Sequence, residues 1–371
     1  MTLAITMWDH TVFSRRWGDE AEFADWERSL DELAERGYDC IRIDAWPHLI
    51  DSDQRVFTLT PQRKRWMWGN HRPVDIRPHE EVPRFIELAA ERGMSVGLSS
   101  WFQPDVDGHR RRVRRPEDYT RVWTRTLEHL EGLHEHVRWV DLCNEFPLAL
   151  WSPAAWKDIF GTPWPNIVPL ERPFSEARRD GMQRYFAAID PLRERWPDLK
   201  YTFSFQGLFG ARGFQRLDLS RFDLLEPHVW LSNDREFTLR SGHWAALAEL
   251  PGSGALHRTM GPRTWDRHRA RWRRALGRRM DAWVDAAKRH DLPLFTTEGW
   301  ASTMYDDAPG GDGSEWRWVK EASEVAVELA IERGWTGICT SNFCQPVFEG
   351  LWRDVAHHRR MTDAIRAATD R

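Results

Sequence analysis

The sequence is poor in cysteine and tyrosine, and it contains no long uninterrupted run of apolar residues. It has 4 Cys and 5 Tyr among 371 residues. The cysteines, at positions 40, 143, 339 and 344, stand in or beside apolar segments, without the close spacing of a metal site. We therefore expect reduced core thiols in a cytoplasmic protein, rather than a disulfide scaffold or a structural zinc site.

Other absences narrow the class of protein further. No segment approaches the ~18 consecutive apolar residues of a membrane span, so we expect no membrane partner. The formal net charge is -4, which argues against a general nucleic-acid binder. The first strand pattern begins beside Met1, and we therefore expect no signal peptide.

Tryptophan, in contrast, is abundant, with 23 residues. An indole is a demanding core residue because its N–H needs a hydrogen-bond partner. Several tryptophans fall between the predicted elements, and five of them are of interest here: Trp66, Trp68, Trp151, Trp156 and Trp164. They either fix long loops in place or offer flat platforms for sugar rings, and the sequence leaves both readings open.

Strand and helix patterns alternate eight times along the chain. This alternation predicts a (β/α)8 TIM barrel, formed by residues 1–371 as a single domain. A doubly wound sheet is the alternative, but no glycine-rich phosphate loop follows the first strand. The predicted strands span residues 3–9, 40–46, 95–102, 138–146, 200–206, 224–231, 292–300 and 335–342. The predicted helices span residues 21–36, 80–92, 116–133, 175–195, 213–219, 266–290, 315–333 and 351–369.

Four long loops are expected on one face of this barrel. They span residues 47–79, 147–174, 232–265 and 301–314. Each loop follows the C-terminal end of a predicted strand, and barrel enzymes carry their active sites on that face.

The fourth predicted strand ends in a pattern that suits chemistry better than packing. Val140 and Leu142 point one way, while Asp141, Cys143 and Glu145 are predicted to point the other, because side chains alternate along a strand. An amide and a carboxyl, Asn144-Glu145, close the strand. A second carboxyl, Glu298, closes the seventh predicted strand. We predict that Glu145 and Glu298 meet across one site.

Polar and aromatic side chains also stand at the ends of the other strands. Arg42 and Asp44 share one face of the second strand. Burying a charge inside a barrel costs free energy unless the charge is paired or solvated. We interpret this pair as part of the site, with a buried salt bridge as the alternative. The further candidates are Asp9, Trp101, Gln206, His228, Trp230, Trp300 and Asn342.

Two carboxyls in such a ring suit the cleavage of a glycosidic bond. The leaving oxygen needs a proton, and a carboxylate can attack or stabilise the oxocarbenium-like sugar carbon. A separation of ~5–5.5 Å implies retention of configuration, and ~6.5–9.5 Å implies inversion.

With these residues in view, the chain resembles clan A glycoside hydrolases, most closely the cellulase-like sugar-binding barrel proteins related to glycoside hydrolase family 5. The matching residues are Asn144-Glu145, Glu298 in Thr297-Glu298-Gly299-Trp300, and Arg42 in Ile41-Arg42-Ile43. The resemblance implies that Glu145 is the general acid/base and Glu298 the nucleophile of a retaining β-glycosidase. It also implies that Asn144 donates to the 2-hydroxyl of a carbohydrate substrate.

Three positions depart from the family pattern. The His-x-Tyr of the sixth strand appears as His228-Val229-Trp230, the histidine of the third strand is replaced around Ser99-Ser100-Trp101, and Asn342-Phe343 stands where a tryptophan is expected. The tyrosine that usually orients the nucleophile is therefore missing.

The expected division of labour follows from the residue types. Arg42 and His228 keep Glu298 ionised and oriented, and Asp9 and Asp44 accept hydrogen bonds from sugar hydroxyls. The stacking candidates are Trp101, Trp230 and Trp300, and Gln206 and Asn342 complete the predicted binding set. No metal or cofactor is required, the expected substrate is an oligosaccharide or a small glycoside, and the oligomeric state stays open.

Two other functions compete with this interpretation. A metal-dependent barrel isomerase or hydrolase would use Asp9, His10, Asp44 and His228 as ligands for Zn or Mn. A barrel that keeps the sugar cleft without catalysis would explain the missing tyrosine.

Overall fold

Short parallel strands alternate with helices around a closed ring in a computed structural model, which describes residues 2–19, 21–61, 69–162, 174–207, 213–214 and 216–368. The barrel strands are, in order, Leu3–Asp9, Cys40–Asp44, Ser95–Ser99, Val137–Asp141, Tyr201–Thr202 with Phe205–Gln206, Pro227–Trp230, Phe295–Thr296 with Gly299–Trp300, and Gly337–Cys339. Each strand pairs in parallel with the next, and the eighth pairs with the first. The (β/α)8 prediction is confirmed.

The fifth and seventh strands are each interrupted where the sequence predicts one continuous strand. At the first break the Ser204 N–H donates to Asp141 Oδ1 at 2.8 Å. At the second, the Thr297 hydroxyl donates to Glu226 Oε1 at 2.5 Å. Both breaks therefore turn polar groups toward buried carboxyls, an interaction that apolar periodicity does not reveal.

Helices with one buried apolar side cover the ring. The principal ones are Trp26–Glu35, Pro78–Glu91, Pro116–His129, Glu176–Phe186, Ile189–Arg195, Arg269–His290, Arg317–Glu332 and Val355–Ala367. Residues 213 and 214 are helical but residues 216–219 are not, so the helix predicted at 213–219 is wrong over its second half; residues 208–212 and 215 lie outside the described residues. Within the described ranges, no helix is both long and apolar enough to cross a membrane.

The loops on the C-terminal face hold secondary structure of their own. They contain the helices Thr11–Ser14, Pro47–Ile50, Pro153–Phe160, Arg235–Arg240, His243–Leu247, Ser253–Arg267 and Glu349–Trp352, and the antiparallel pair Phe57–Leu59 and Val74–Ile76. Single 3-10 turns form at His109–Arg112, His134–His136, Leu231–Asn233 and Ser314–Trp316. The predicted loop 232–265 is therefore mostly helical.

The barrel interior has an apolar lower layer. Six buried side chains form a separate cluster there: Leu3, Ile5, Cys40, Trp139, Leu224 and Phe295. The Trp139 ring lies so close to Gly97 that a Cβ at Gly97 would sit 2.2 Å from it. We call these six residues the apolar plug.

Most of the tryptophans that the structure describes serve packing. Twelve have fully buried side chains, among them Trp156, one of the five of interest between predicted elements. Trp151 is half-buried against the core. Trp66, Trp68 and Trp164 lie outside the described residues, so their role as sugar platforms stays a prediction.

Candidate active site

A layer of buried charge lies directly above the apolar plug. Arg42, Asp141 and Glu226 each follow a plug residue by two positions, and residues two apart on a strand share a face. All three are fully buried. Arg42 Nη2 lies 2.6 Å from Asp141 Oδ2, and Arg42 Nε lies 3.4 Å from Glu226 Oε1. The guanidinium therefore offsets carboxylates that would otherwise be costly to bury.

Arg42 also connects this layer to the predicted site. Its Nη1 donates to Glu298 Oε1 at 3.0 Å, and its Nη2 donates to Asn144 Oδ1 at 2.8 Å. The guanidinium carbon lies 4.5 Å from the centre of the Trp101 ring, within cation–π range. Arg42 thus forms buried salt bridges with Asp141, Glu226 and Glu298 and not the Arg42–Asp44 pair that was the alternative from the sequence.

Glu145 reaches the site by a turn and not by strand alternation. The fourth strand ends at Asp141, and Glu145 has a φ of 48°, in the left-handed region. Cys143 packs into the hydrophobic core, so the prediction that Asp141, Cys143 and Glu145 share one face is wrong for Cys143. The Glu145 N–H donates to Ser204 Oγ at 2.9 Å, which fixes the turn against the interrupted fifth strand.

The two glutamates predicted to meet do lie together. One carboxylate oxygen of Glu145, one of Glu298 and one ring nitrogen of His228 all lie within 4.8 Å of one another. Glu145 is 8% exposed and Glu298 7%, so the pair is largely desolvated. Burial, the largest cause, and the Glu145 carboxylate raise the pKa of Glu298, whereas His228 and Arg42 lower it. The net result is a pKa of about 7.

His228 lies between the two carboxyls. Its Nδ1 is 3.1 Å from Glu145 Oε1 and 3.6 Å from Glu298 Oε2, and its Nε2 is 3.7 Å from Glu226 Oε1. Burial alone would lower the pKa of His228, but Glu298, Glu145 and Glu226 together raise it to about 10. The ring is therefore an imidazolium at neutral pH and carries an N–H on both nitrogens.

Beyond the effect of burial, Asp9 lies close enough to Glu298 and Asp44 for their charges to raise its pKa. Asp44 accepts from the backbone N–H groups of Trp46 at 2.8 Å and Trp101 at 3.1 Å, and burial raises its pKa to about 7. Asp9 Oδ1 accepts from the Thr11 N–H at 2.5 Å, and burial raises the pKa of Asp9 well above its ordinary range. Asp9 Oδ2 is buried and has no hydrogen-bond partner among the described residues.

The predicted aromatic platforms have different surroundings. Trp300 is fully buried in the hydrophobic core, where its Nε1 donates to Cys339 O at 2.9 Å and its ring contacts Trp335. No face of Trp300 is open to a sugar, so its prediction as a stacking residue is wrong. Trp101 is buried against Arg42, and Trp230 is buried with an indole N–H that has no partner in the described part of the chain.

The remaining predicted binding residues are buried at the C-terminal end of the barrel. Gln206 ends the interrupted fifth strand and is 6% exposed. Asn342 follows the eighth strand, and neither of its side-chain polar atoms has a hydrogen-bond partner among the residues described.

Sequence reasoning missed two residues that contact the site. Glu226 stands two positions before His228, so strand periodicity could have identified it. Trp151 Nε1 lies 3.4 Å from Glu145 Oε2. The turns Leu148 N–H to Glu145 O (2.8 Å) and Trp151 N–H to Leu148 O (3.0 Å) bring it there, and no sequence motif signals them.

The ligand set of the metal-dependent alternative does not converge. In the portion of the chain that the structure describes, Asp9, His10, Asp44 and His228 form no group of three or more ligand atoms close enough to share one ion. His10 lies 3.8 Å from Asp9, but burial lowers the pKa of His10 to about 3, which leaves it a neutral ring.

Known proteins agree with this fold. The sugar-binding cellulase-like family matches residues 5–366. A protein of Parabacteroides distasonis ATCC 8503, provisionally described as a glycoside hydrolase, is 32% identical over 99% of this chain and 94% of its own, with a TM-score of 0.86.

Two more distant structures share the fold. The exo-beta-1,4-mannosidase Op5Man5 from Opitutaceae bacterium strain TAV5 is 14% identical over 98% of this chain and 60% of its own, with a TM-score of 0.51. A variant of GH5_18 from Streptomyces cattleya, in complex with Manb1-4GlcNAc, is 14% identical over 98% of this chain and 80% of its own, with a TM-score of 0.50. No curated protein matches the chain significantly. The family match, which spans nearly the whole barrel, shows that the chain belongs to the sugar-binding cellulase-like family, related to the glycoside hydrolases of family 5.

Proposed function

We propose that this protein is a retaining β-glycosidase that acts on an oligosaccharide or a small glycoside, with Glu145 as acid/base and Glu298 as nucleophile. The observation that carries the proposal is that one oxygen of each carboxyl lies within 4.8 Å of an oxygen of the other. This proximity favours the ~5–5.5 Å carboxyl separation of retaining enzymes over the ~6.5–9.5 Å of inverting ones.

The contacts of the pair fit the two assigned roles. Arg42 Nη1 donates to Glu298 at 3.0 Å and favours the ionised form that a nucleophile needs. Glu145 accepts from the His228 ring through Oε1 and from Trp151 Nε1 through Oε2 at 3.4 Å. The proposed role requires Oε2 to carry the proton toward the leaving oxygen.

The first step follows from this assignment. Ionised Glu298 attacks the anomeric carbon, and the bond to the leaving oxygen breaks as that oxygen takes the proton of Glu145. In the second step Glu145 removes a proton from water, whose oxygen displaces Glu298 from the sugar. Two inversions at one carbon retain its configuration.

Asn144 is placed for recognition of the substrate. Its Oδ1 accepts from Arg42 at 2.8 Å, and this bond orients the amide so that its NH₂ is left as the donor. A donor beside the nucleophile suits the hydroxyl next to the anomeric carbon. Asp9 Oδ2 and the Asn342 amide supply further unpaired groups for sugar hydroxyls.

A screen of aryl glycosides tests the proposal. Wild-type protein is expected to release aryl alcohol from one or more β-glycosides (hexosides and pentosides), and Glu298→Gln to lower kcat by roughly 10⁴-fold, as loss of a nucleophile does elsewhere. Asp105→Asn serves as the matched control because Asp105 is a buried carboxyl whose Oδ2 accepts from His109 Nδ1 at 2.6 Å; its kcat should stay near that of wild type.

The stereochemistry of the product gives an independent check. Proton NMR of the first-formed sugar should show the β anomer before mutarotation. An α anomer would contradict the mechanism while leaving the glycosidase activity intact. Sugar binding without turnover in wild type would instead support the non-catalytic barrel.

A further inference from the structure

Glu226 is a fully buried carboxyl that the proposed mechanism does not use. It lies just before the sixth barrel strand, in the charged layer beneath the catalytic pair. Burial raises the pKa of a carboxyl, but Arg42, His228 and Thr297 hold that of Glu226 below its ordinary value. Glu226 is therefore ionised in the barrel interior, where an anion without a partner would be costly in free energy.

The surroundings of Glu226 are two cations and one hydroxyl. Thr297 Oγ1 donates to Glu226 Oε1 at 2.5 Å. The same oxygen lies 3.4 Å from Arg42 Nε and 3.7 Å from His228 Nε2. Both nitrogens are buried, and neither has a hydrogen-bond partner in the part of the chain that the structure describes. Glu226 is thus the anion that faces the rear edge of both cations.

The front edges of the same two cations face the catalytic pair. Arg42 Nη1 donates to Glu298 at 3.0 Å, and His228 Nδ1 donates to Glu145 at 3.1 Å. A guanidinium and an imidazole are rigid planar groups, so fixing one edge fixes the direction of the other.

We propose that Glu226 is a positioning residue, which holds the rear N–H groups of Arg42 and His228 so that their front N–H groups aim at Glu298 and Glu145. The assignment rests on the proposed function for its catalytic meaning.

The charges around His228 come from several strands. Glu226 precedes the strand of His228, Glu145 follows the fourth strand, Glu298 interrupts the seventh, and Arg42 lies across the interior on the second. Three carboxyls thus face one imidazole, and only Glu226 lies behind it. Neutralising Glu226 removes the rear anion and leaves the front pair unchanged.

Three variants test the assignment. Glu226→Gln removes the charge at nearly constant volume, Glu226→Asp keeps the charge but withdraws it by one methylene, and Asp105→Asn is the control for loss of a buried carboxyl beside a histidine. The chain has 15 histidines, so the ¹⁵N ring signals of His228 are assigned by their absence in His228→Gln.

Two readouts are expected to move together. In Glu226→Gln the pKa of the His228 imidazolium should be at least one pH unit lower than in wild type. Its kcat should fall about 100-fold, as for a catalytic group displaced by an ångström, with KM nearly unchanged. Glu226→Asp should keep the imidazolium and recover part of kcat, and Asp105→Asn should alter neither.

The two proposals fail in different ways. Inactivity of wild type on every glycoside would refute the proposed function. The coupling between Glu226 and His228 would still be testable, because the NMR titration needs no turnover. If the pKa of His228 in Glu226→Gln equals the pKa in wild type, the positioning role is wrong. If Glu226→Gln does not fold, a wild-type kcat in Glu226→Asp overturns it as well.

Discussion

At the residue scale, the site depends on the ionisation of Glu298. Burial is the main cause that raises the pKa of Glu298, to about 7, and the neighbouring Glu145 carboxylate adds to it. A carboxyl that attacks a sugar carbon must be ionised, so in the proposed mechanism Glu298 is fully active only above about pH 7.

The dependence of activity on pH follows from this ionisation. We expect kcat/KM to fall about tenfold per pH unit below roughly pH 7, because the nucleophile Glu298 must be ionised. The measurement is a pH–rate profile with an unactivated glycoside. Activity that stays constant from pH 8 down to pH 5 would contradict a nucleophile with this raised pKa.

Glu145→Gln should separate the two chemical roles. The amide cannot protonate a leaving oxygen, so an alkyl glycoside should lose roughly 10²–10⁴-fold in kcat/KM. A dinitrophenyl glycoside, whose leaving group needs no proton, should lose far less. Equal losses for both substrates would point to a structural rather than an acid role for Glu145.

At the element scale, the third and fourth strands approach too closely for any side chain at Gly97. A Cβ there would lie 2.2 Å from the Trp139 indole, within the apolar plug. Gly97→Ala should therefore reduce the free energy of unfolding by about 1–3 kcal/mol, the usual cost of overpacking a core. Urea denaturation measures the change.

Gly254→Ala is the matched control for that substitution. Gly254 lies in the helix Ser253–Arg267, and its added Cβ would meet only the flexible end of Arg258 at 3.3 Å. Because alanine favours a helix over glycine by up to about 1 kcal/mol, this variant should be neutral or slightly more stable. Equal destabilisation of both variants would contradict the proposed role of the Trp139 contact.

The sequence predicts those elements that leave a periodic pattern of apolar residues or a polar residue at a strand end. The alternation of strands and helices identifies the barrel, and the polar strand ends identify Arg42, Glu145 and Glu298. It does not predict the interruption at Ser204 and Thr297, because buried parallel strands read as continuous apolar runs, whereas both breaks depend on carboxyls from other strands.

The helices within residues 232–265 escape prediction for a different reason. Arg235–Arg240 and His243–Leu247 are too short to show a helical period. Left-handed glycines, Gly242 with φ 76° and Gly252 with φ 74°, separate the three helices, and single glycines also mark ordinary loops.

Trp300 and Glu226 show the same limit at the site. The break before Gly299 ends simple alternation, so parity cannot show that the Trp300 ring enters the outer core. Glu226 is detectable by its two-residue spacing from His228, but its partners Arg42 and Thr297 come from distant strands.

At the scale of the whole molecule, the buried titratable groups make stability sensitive to alkali. The pKa of His228 is raised to about 10, against an ordinary value of about 6.5. A raised folded-state pKa gives stability that is present in full below the unfolded value and is lost as pH rises toward the folded one.

We therefore expect the free energy of unfolding to fall with pH between about 7.5 and 9. The slope from His228 alone is about 1.4 kcal/mol per pH unit. Above roughly pH 9 the four buried thiols add to it, because burial raises the pKa of each, to about 12 for Cys40 and about 11 for Cys344. Urea titrations at pH 7.5, 8.5 and 9.5 measure the trend.

His228→Gln is the control for this trend. It should be less stable at pH 7.5 and lose the slope between pH 7.5 and 9, while keeping the steeper loss above. A wild-type protein whose stability does not change over this range would contradict the buried imidazolium.

The apolar plug bears on how the charged layer exchanges protons with solvent. Its six buried side chains lie directly beneath Arg42, Asp141 and Glu226, and apolar side chains do not relay protons. We therefore expect protons to reach the charged layer from the opposite, C-terminal side, where the proposed substrate would bind. A bound sugar should then slow the exchange of protons between Glu145, Glu298 and solvent.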